Sequence, residues 1–200
     1  KISYFPCCLR VVRKILLSSK ILLMKLSVVL LAGGKGTRMA LPTPKVFLPL
    51  MGKSIILHSF ELFQSLPYVH EIVIVCPKKY HHIFPENTLF ALPGSERQDS
   101  VKNGFEKTTG DTILIHDGAR PFITKEAIEK LLEEGLPTGA ATLGTPVKYT
   151  IKQVGLDRIV EKTLDREKLY AMQTPQLLTR TLLQKGLDAA TKQKLTLTDA

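Results

Sequence analysis

Residues 26–32 read LSVVLLA, and residues 33–39 directly after them read GGKGTRM. A continuous apolar, β-branched run is what a strand buried on both faces of a parallel sheet requires. Glycines at its C-terminal edge let backbone N–H groups approach an anion. The crevice outside the carboxyl ends of the strands is also where open α/β sheets bind their ligands. The turn is not a Walker loop, because no GK[ST] stands at the required offset. Nor is it a dinucleotide fingerprint, because Gly34-x-Gly36 is followed by Met39 where a third glycine would stand. Arg38 follows, and then Lys45 inside Pro44-Lys45. Two cations beside a glycine cradle suit a polyphosphate; a purely structural turn with solvated cations is the plainer alternative.

Outward from this turn the chain alternates. Residues 54–65 place Ile55, Ile56, Leu57, Phe60, Leu62 and Phe63 at helical spacing. A second buried strand is expected at residues 71–76, stopped by Pro77, and a third at 112–116, running into Asp117-Gly118-Ala119-Arg120-Pro121. Residues 125–134 read as an amphipathic helix with Thr124 available as its N-cap. Strands alternating with helices predict an α/β sheet with right-handed crossovers. After Gly139 the pattern changes. Residues 140–146 read as a strand, and 147–154 and 158–164 flank Gly155-Leu156-Asp157 as a hairpin with a polar middle. A hairpin with so little apolar face needs something to pack on. It is either an excursion into solvent or an arm that embraces another subunit.

Charge narrows the function less than its total suggests. The 200 residues carry 28 Lys+Arg and 18 Asp+Glu, a net +10, with an isoelectric point near 9.6. Lys1, Arg10, Arg13, Lys14, Lys20 and Lys25 all fall in residues 1–25, which hold no acid; the remainder balances 22 against 18. The basicity therefore belongs mostly to a leader. That leader is expected to be upstream or disordered sequence without a role in the fold, or else an organellar transit segment. With no Trp and no basic stripe in the body, nucleic acid is not an expected partner. No apolar stretch approaches the roughly 18 uninterrupted residues of a spanning helix, so no membrane is expected either. Cys76 stands alone in the body after Ile72-Val73-Ile74-Val75 and reads as a buried strand residue. The adjacent His81-His82 read as surface residues.

Three further segments sharpen the picture. Residues 94–104 read GSERQDSVKNG, residues 116–121 HDGARP, and residues 174–176 TPQ. Together with LAGGKGTRM and the PK that follows, they resemble, in the same order over about residues 26–200, the 2-C-methyl-D-erythritol 4-phosphate cytidylyltransferase family of the non-mevalonate isoprenoid pathway. The resemblance implies a Rossmann-like α/β fold: a mostly parallel central sheet flanked by helices, of the nucleotide-diphospho-sugar transferase type. It also implies a β-hairpin arm at about residues 145–168 that joins a homodimer, within a single domain spanning 26–200.

The same resemblance assigns roles. Arg38 and Lys45 are the catalytic cations on the CTP triphosphate; Ala32, Gly33, Gly34, Gly36, Gly94, Ser100 and Asp117 bind the nucleotide, and Asp117 also holds Mg²⁺. Arg120, Thr150, Arg166 and Thr174 bind the polyol phosphate, Thr150 and Arg166 reaching over from the other subunit. Read from the residues alone, Asp117 is also suited to an Asx turn before Gly118, and Ser100 to a helix N-cap. Asp165 is expected to orient Arg166, and His116 to orient Asp117. The implied reaction moves CMP from CTP onto 2-C-methyl-D-erythritol 4-phosphate, giving 4-diphosphocytidyl-2-C-methyl-D-erythritol and pyrophosphate. It needs no general base, since a phosphate monoester with its second pKa near 6 is already a nucleophile. In the family, Thr198-Asp199 opens a stretch with a second acidic metal ligand and a lysine. The C-terminal end of the family domain is therefore expected to be missing, leaving weak activity and a sheet short of its last elements. The alternatives are a ribitol 5-phosphate cytidylyltransferase, a sugar-nucleotide pyrophosphorylase (against which ERQDSV and HDGARP argue), and a truncated, non-catalytic nucleotide-binding protein. The expected compartment is the bacterial cytoplasm, or a plastid if the leader is a transit segment.

Overall fold

A computed structural model describes residues 24–34 and 43–195. Strand β1 (Leu26–Leu31) has all six side chains buried, as its unbroken apolar run requires. It pairs in parallel with β4 (Val69–Val75) on one side and β6 (Thr112–Asp117) on the other. Between β1 and β4 lie the short hairpin of β2 (Pro49–Leu50) and β3 (Lys53–Ser54), then helix α1 (Ile55–Ser65). β5 (Leu89–Ala91) adds a parallel edge to β4, and α2 (Arg97–Phe105) crosses back to β6. Helix α3 (Lys125–Gly135) leads to β7 (Ala140–Pro146); β8 (Lys152–Val154) and β9 (Val160–Thr163) follow, then β10 (Tyr170–Thr179) and α4 (Arg180–Gln193). The sheet order is β5-β4-β1-β6-β10-β7, with β10 antiparallel to both of its neighbours.

Alternation along β1 divides the core. Val29 and Leu31 face α2 and α4 through Val101, Phe105, Leu183 and Leu187. Val28 and Leu30 face α1 and α3, against side chains that include Phe63, Ile128 and Leu132 for the first and Ile56 and Phe60 for the second. The doubly wound, mostly parallel sheet matches the expected fold class. Cys76 is fully buried, and burial pushes its thiol up to about 11. Thr124 caps α3, its hydroxyl accepting from the Ala127 N–H at 3.2 Å.

The helix α2 was not legible as a helix, because RQDSVKNGF buries only Ser100, Val101, Gly104 and Phe105, of which two are large and apolar. A reciprocal capping box starts it: Glu96 accepts from the backbone of Asp99, and the Asp99 carboxylate accepts from the Glu96 N–H. The N-cap is thus Glu96, and the reading of Ser100 as a cap is corrected; Ser100 sits within the first turn. His81 also departs from the surface reading, since its ring stacks on Phe90 at 3.8 Å. The hairpin is less polar than expected as well. Val154, Leu156, Ile159 and Val160 project from it, all more than half exposed.

The N-terminal edge of the sheet is held by Glu71. Its Oε1 accepts from the Ser27 hydroxyl at 2.6 Å, the Thr109 hydroxyl at 3.0 Å, the Gly110 N–H at 3.2 Å and the Thr109 N–H. Partial burial works to raise the carboxyl pKa, but these donors outweigh it and hold it below the ordinary value. A depressed folded-state pKa stabilises the fold above the unfolded value of roughly 4.3, and that contribution fades as pH falls through the folded value. Glu71→Gln should therefore cost about 1 kcal/mol at neutral pH, after allowance for solvent screening. Urea unfolding of both forms should show the gap closing toward pH 3; a gap independent of pH would refute the assignment.

Candidate active site

The order in which strands are added reverses between the parallel neighbours β1 and β6: β4 and β5 build out on one side of β1, and β6 begins the other. Ligands of open α/β sheets bind at such a switch point, outside the carboxyl ends of the strands. Register places Leu31 opposite Asp117 there, and the Gly118 N–H closes onto the Leu31 carbonyl at 2.8 Å. The glycine turn and the HDGARP segment thus meet although 84 positions separate Gly33 from Asp117.

Each wall of this crevice has a local cause. Ala32 is buried and its N–H donates to the Val75 carbonyl at 2.9 Å, so it anchors the cradle through the sheet. Gly33 packs on Pro93, whose Cβ would lie 2.3 Å from a side chain at that position. Next to it, Gly34 is exposed, and among the described residues nothing stands within 4 Å of where its side chain would begin. Gly36 and Arg38 lie outside the described residues. The exposed Lys45 opens a 3₁₀ turn, Lys45–Phe47, whose Val46 and Phe47 pack with Leu30, Ala32 and Ala119. That packing brings the turn to the same end of the sheet.

Asp117 stands between two guanidiniums. Arg97, on the first turn of α2, donates to Oδ1 at 3.3 Å, and Arg120 donates to Oδ2 at 3.3 Å. Arg97 also donates to the Gln176 Oε1 at 3.1 Å, and Arg120 to the Gln173 side chain. Two cations around one carboxylate leave the crevice positive, which suits an anionic ligand. The sequence motifs contain Arg97 and Gln176 but gave neither a role, and Gln173 was missed.

The remaining expected site residues divide. Gly94 donates its N–H to the Ser100 Oγ at 3.0 Å, and that hydroxyl donates to the Glu96 carbonyl at 3.2 Å. Ser100 is buried, so it braces the loop that Gly94 turns. The buried Thr174 hydroxyl accepts from the Asp117 N–H at 3.1 Å. Thr150 and Arg166 lie at the root of the hairpin, both exposed, and Arg166 donates to the Lys148 carbonyl at 3.2 Å. Asp165 does not orient Arg166; it accepts from the Glu167 N–H and pairs with Lys168 at 3.5 Å. His116 is wholly buried, and desolvation pushes its pKa down to about 4, against the backbone hydrogen bond to Arg120 that favours the charged ring.

Among the described residues, no three His, Cys, Asp or Glu side chains gather into a site that could hold a metal ion by themselves. One carboxylate is nevertheless a fitting donor set for Mg²⁺, which takes one or two carboxylates and completes its shell with phosphate oxygens and water. Asp117, part-exposed and held by contacts no shorter than 3.3 Å, meets that description.

A glycine turn at a switch point, with cations ranged about a single carboxylate, fits an α/β nucleotidyltransferase. The family model described as 2-C-methyl-D-erythritol 4-phosphate cytidylyltransferase matches residues 26–200, and the chain belongs to that family. Its relatives include the chloroplastic enzyme of that name from Oryza sativa subsp. japonica, 47% identical over 182 residues, covering 86% of this chain and 61% of the rice protein. The Chlamydia pneumoniae protein of the same name is 43% identical over 178 residues, covering 88% of this chain and 82% of its own length. Among solved structures, the Thermus thermophilus enzyme of this name superposes with a TM-score of 0.72 at 26% identity, over 88% of this chain and 81% of that one. The Anaerococcus prevotii 4-diphosphocytidyl-2C-methyl-D-erythritol synthase shares the fold with a TM-score of 0.77 at 22% identity, over 88% and 80%.

Proposed function

We propose that this chain transfers CMP from CTP to 2-C-methyl-D-erythritol 4-phosphate, releasing pyrophosphate. The observation that carries the reading is the meeting of the Gly33-Gly34 backbone with Asp117 and its two arginines at the switch point. The incoming phosphate, mostly dianionic at neutral pH, attacks the α-phosphorus of CTP in line. Lys45 and Arg38 neutralise the charge that grows on the phosphates, which is how preorganised cations accelerate such transfers. The Gly94 loop receives the base, with Ser100 setting its shape. Arg120, steadied by Gln173, and the Thr174 segment hold the polyol phosphate. Asp117 would hold Mg²⁺, which when bound shields and orients the phosphate oxygens.

The exposed apolar residues of the hairpin, with Tyr149 at its root and Tyr170 beyond it, favour a second copy of this chain as its partner. In that homodimer Thr150 and Arg166 serve the neighbour's polyol site. Thr150→Ala should then raise KM for the polyol phosphate about tenfold, the worth of one well-placed hydrogen bond, with KM for CTP unchanged. Equal losses toward both substrates would refute the arm's role.

Neither nucleic acid nor membrane enters the reading, and no helix among the described residues is long and apolar enough to cross a membrane. The rice relative's chloroplastic name supports a plastid if residues 1–25 direct import; the bacterial cytoplasm is the alternative. The deciding experiment offers CTP with 2-C-methyl-D-erythritol 4-phosphate or ribitol 5-phosphate and follows pyrophosphate. Release with the first alone supports the proposal. Preference for the second makes it the ribitol enzyme, and silence with both makes it a non-catalytic nucleotide binder.

A further inference from the structure

We propose that His116 is a positioning residue, which grips both ends of the turn from Asp117 to Arg120 through its two ring nitrogens in one fixed tautomer. Its Nε2 lies 3.1 Å from the Arg120 carbonyl oxygen, an atom that only accepts, so Nε2 carries the proton. The Ser59 hydroxyl, reaching from α1, donates to the same carbonyl at 3.0 Å and lies 3.3 Å from Nε2. On the other side, Nδ1 lies 3.0 Å from the Thr174 Oγ1. That oxygen already accepts from the Asp117 N–H at 3.1 Å, which leaves the hydroxyl proton for Nδ1. The chain of bonds has one direction: Asp117 N–H to Thr174, Thr174 O–H to Nδ1, Nε2–H to the Arg120 carbonyl. Phe63 meets the imidazole edge to face at 5.4 Å and fixes its plane.

This inference rests on the reading of the site given above. Asp117 and Arg120 are then the groups for the two substrates' phosphates, one at each end of four residues. A turn that flexes would change their separation, and misplacement by about 1 Å can cost on the order of 100-fold in rate. Partners that orient such groups typically contribute about 10–100-fold. His116 therefore acts through the backbone it holds and touches neither substrate.

Two measurements on the whole chain test this. Long-range ¹H–¹⁵N NMR of the parent protein should show His116 protonated at Nε2 and bare at Nδ1; the opposite tautomer overturns the proposal. His116→Phe keeps the ring and its packing on Phe63 but loses both nitrogens. It should lower kcat/KM for both substrates about 10–100-fold with the folded state retained at assay temperature. His116→Gln, whose amide nitrogen reaches toward the Nε2 position, should keep Arg120 held. Its KM for the polyol phosphate stays near the parent's while kcat falls. Parental kinetics in either variant overturn the proposal. If the Phe variant fails to fold, the tautomer and the Gln variant's split between KM and kcat decide. A parent protein without CTP-dependent turnover would refute the functional reading instead, and the NMR result would still judge the grip on the turn.

Discussion

Asp117→Asn should lower kcat for cytidylyl transfer by about 100- to 1,000-fold, the scale set by removing one preorganised charge from a transition state. Asn has the same shape and keeps an oxygen toward one guanidinium, so the packing of β6 is undisturbed. The charge is what disappears. Arg97 and Arg120 lose the carboxylate they share, and a hard-oxygen ligand for Mg²⁺ goes with it. Because the Asp117 side chain is 31% exposed at the end of a strand, the change should leave thermal unfolding close to the parent's. Pyrophosphate release and a melting curve check both halves. Turnover equal to the parent's would remove Asp117 from the machinery and leave it as the turn residue its position before Gly118 also suits.

Gly94→Ala should act on nucleotide binding and stability together. A Cβ at this position would lie 2.1 Å from the Asp99 Cβ, 3.0 Å from its carbonyl carbon and 3.1 Å from its Cα. These are backbone-anchored atoms of the capping box, so the clash cannot be relieved by a rotamer change. The loop must pull away from α2, breaking the 3.0 Å bond from the Gly94 N–H to Ser100 and shifting Arg97 with the helix start. Overpacking of this kind costs about 1–3 kcal/mol. The expected result is a lower melting temperature and a KM for CTP raised about tenfold or more, since each 1.4 kcal/mol is a factor of ten. Calorimetric titration with CTP measures the second; unchanged affinity would show that the loop does not carry the base.

Parts of this site could be read before any coordinates. β1 is legible because a strand buried on both faces is an unbroken apolar run, and β4 and β6 because each holds a shorter one, Ile72 to Val75 and Ile113 to Ile115. The glycine turn was legible for a related reason: Gly33 lies against Pro93, and a backbone that close tolerates no side chain. α4 carried a readable signal in Leu183, Leu187 and Ala190, spaced as one helical face, yet was passed over. α2 carried almost none. Its mostly polar sequence is held by end capping and four inward residues, one of them the polar Ser100, and capping by Glu and Asp is weaker to the eye than apolar periodicity.

What the amino-acid order determined alone was the class of fold, the glycine turn at the end of β1 and, through its run of motifs, the family. Local rules suffice for these, because burial on two faces and close backbone approach each restrict the residue types at one place. Tertiary structure alone decided that Arg97 and Gln176, 79 positions apart, share a hydrogen bond beside Asp117. It alone decided that the His116 ring faces Thr174 and the Arg120 carbonyl, and that the hairpin turns its Val and Leu side chains outward. Each of these depends on strand order and register. The same side chains set one residue along a strand would point to the opposite face, and no local pattern records which neighbour they would then meet.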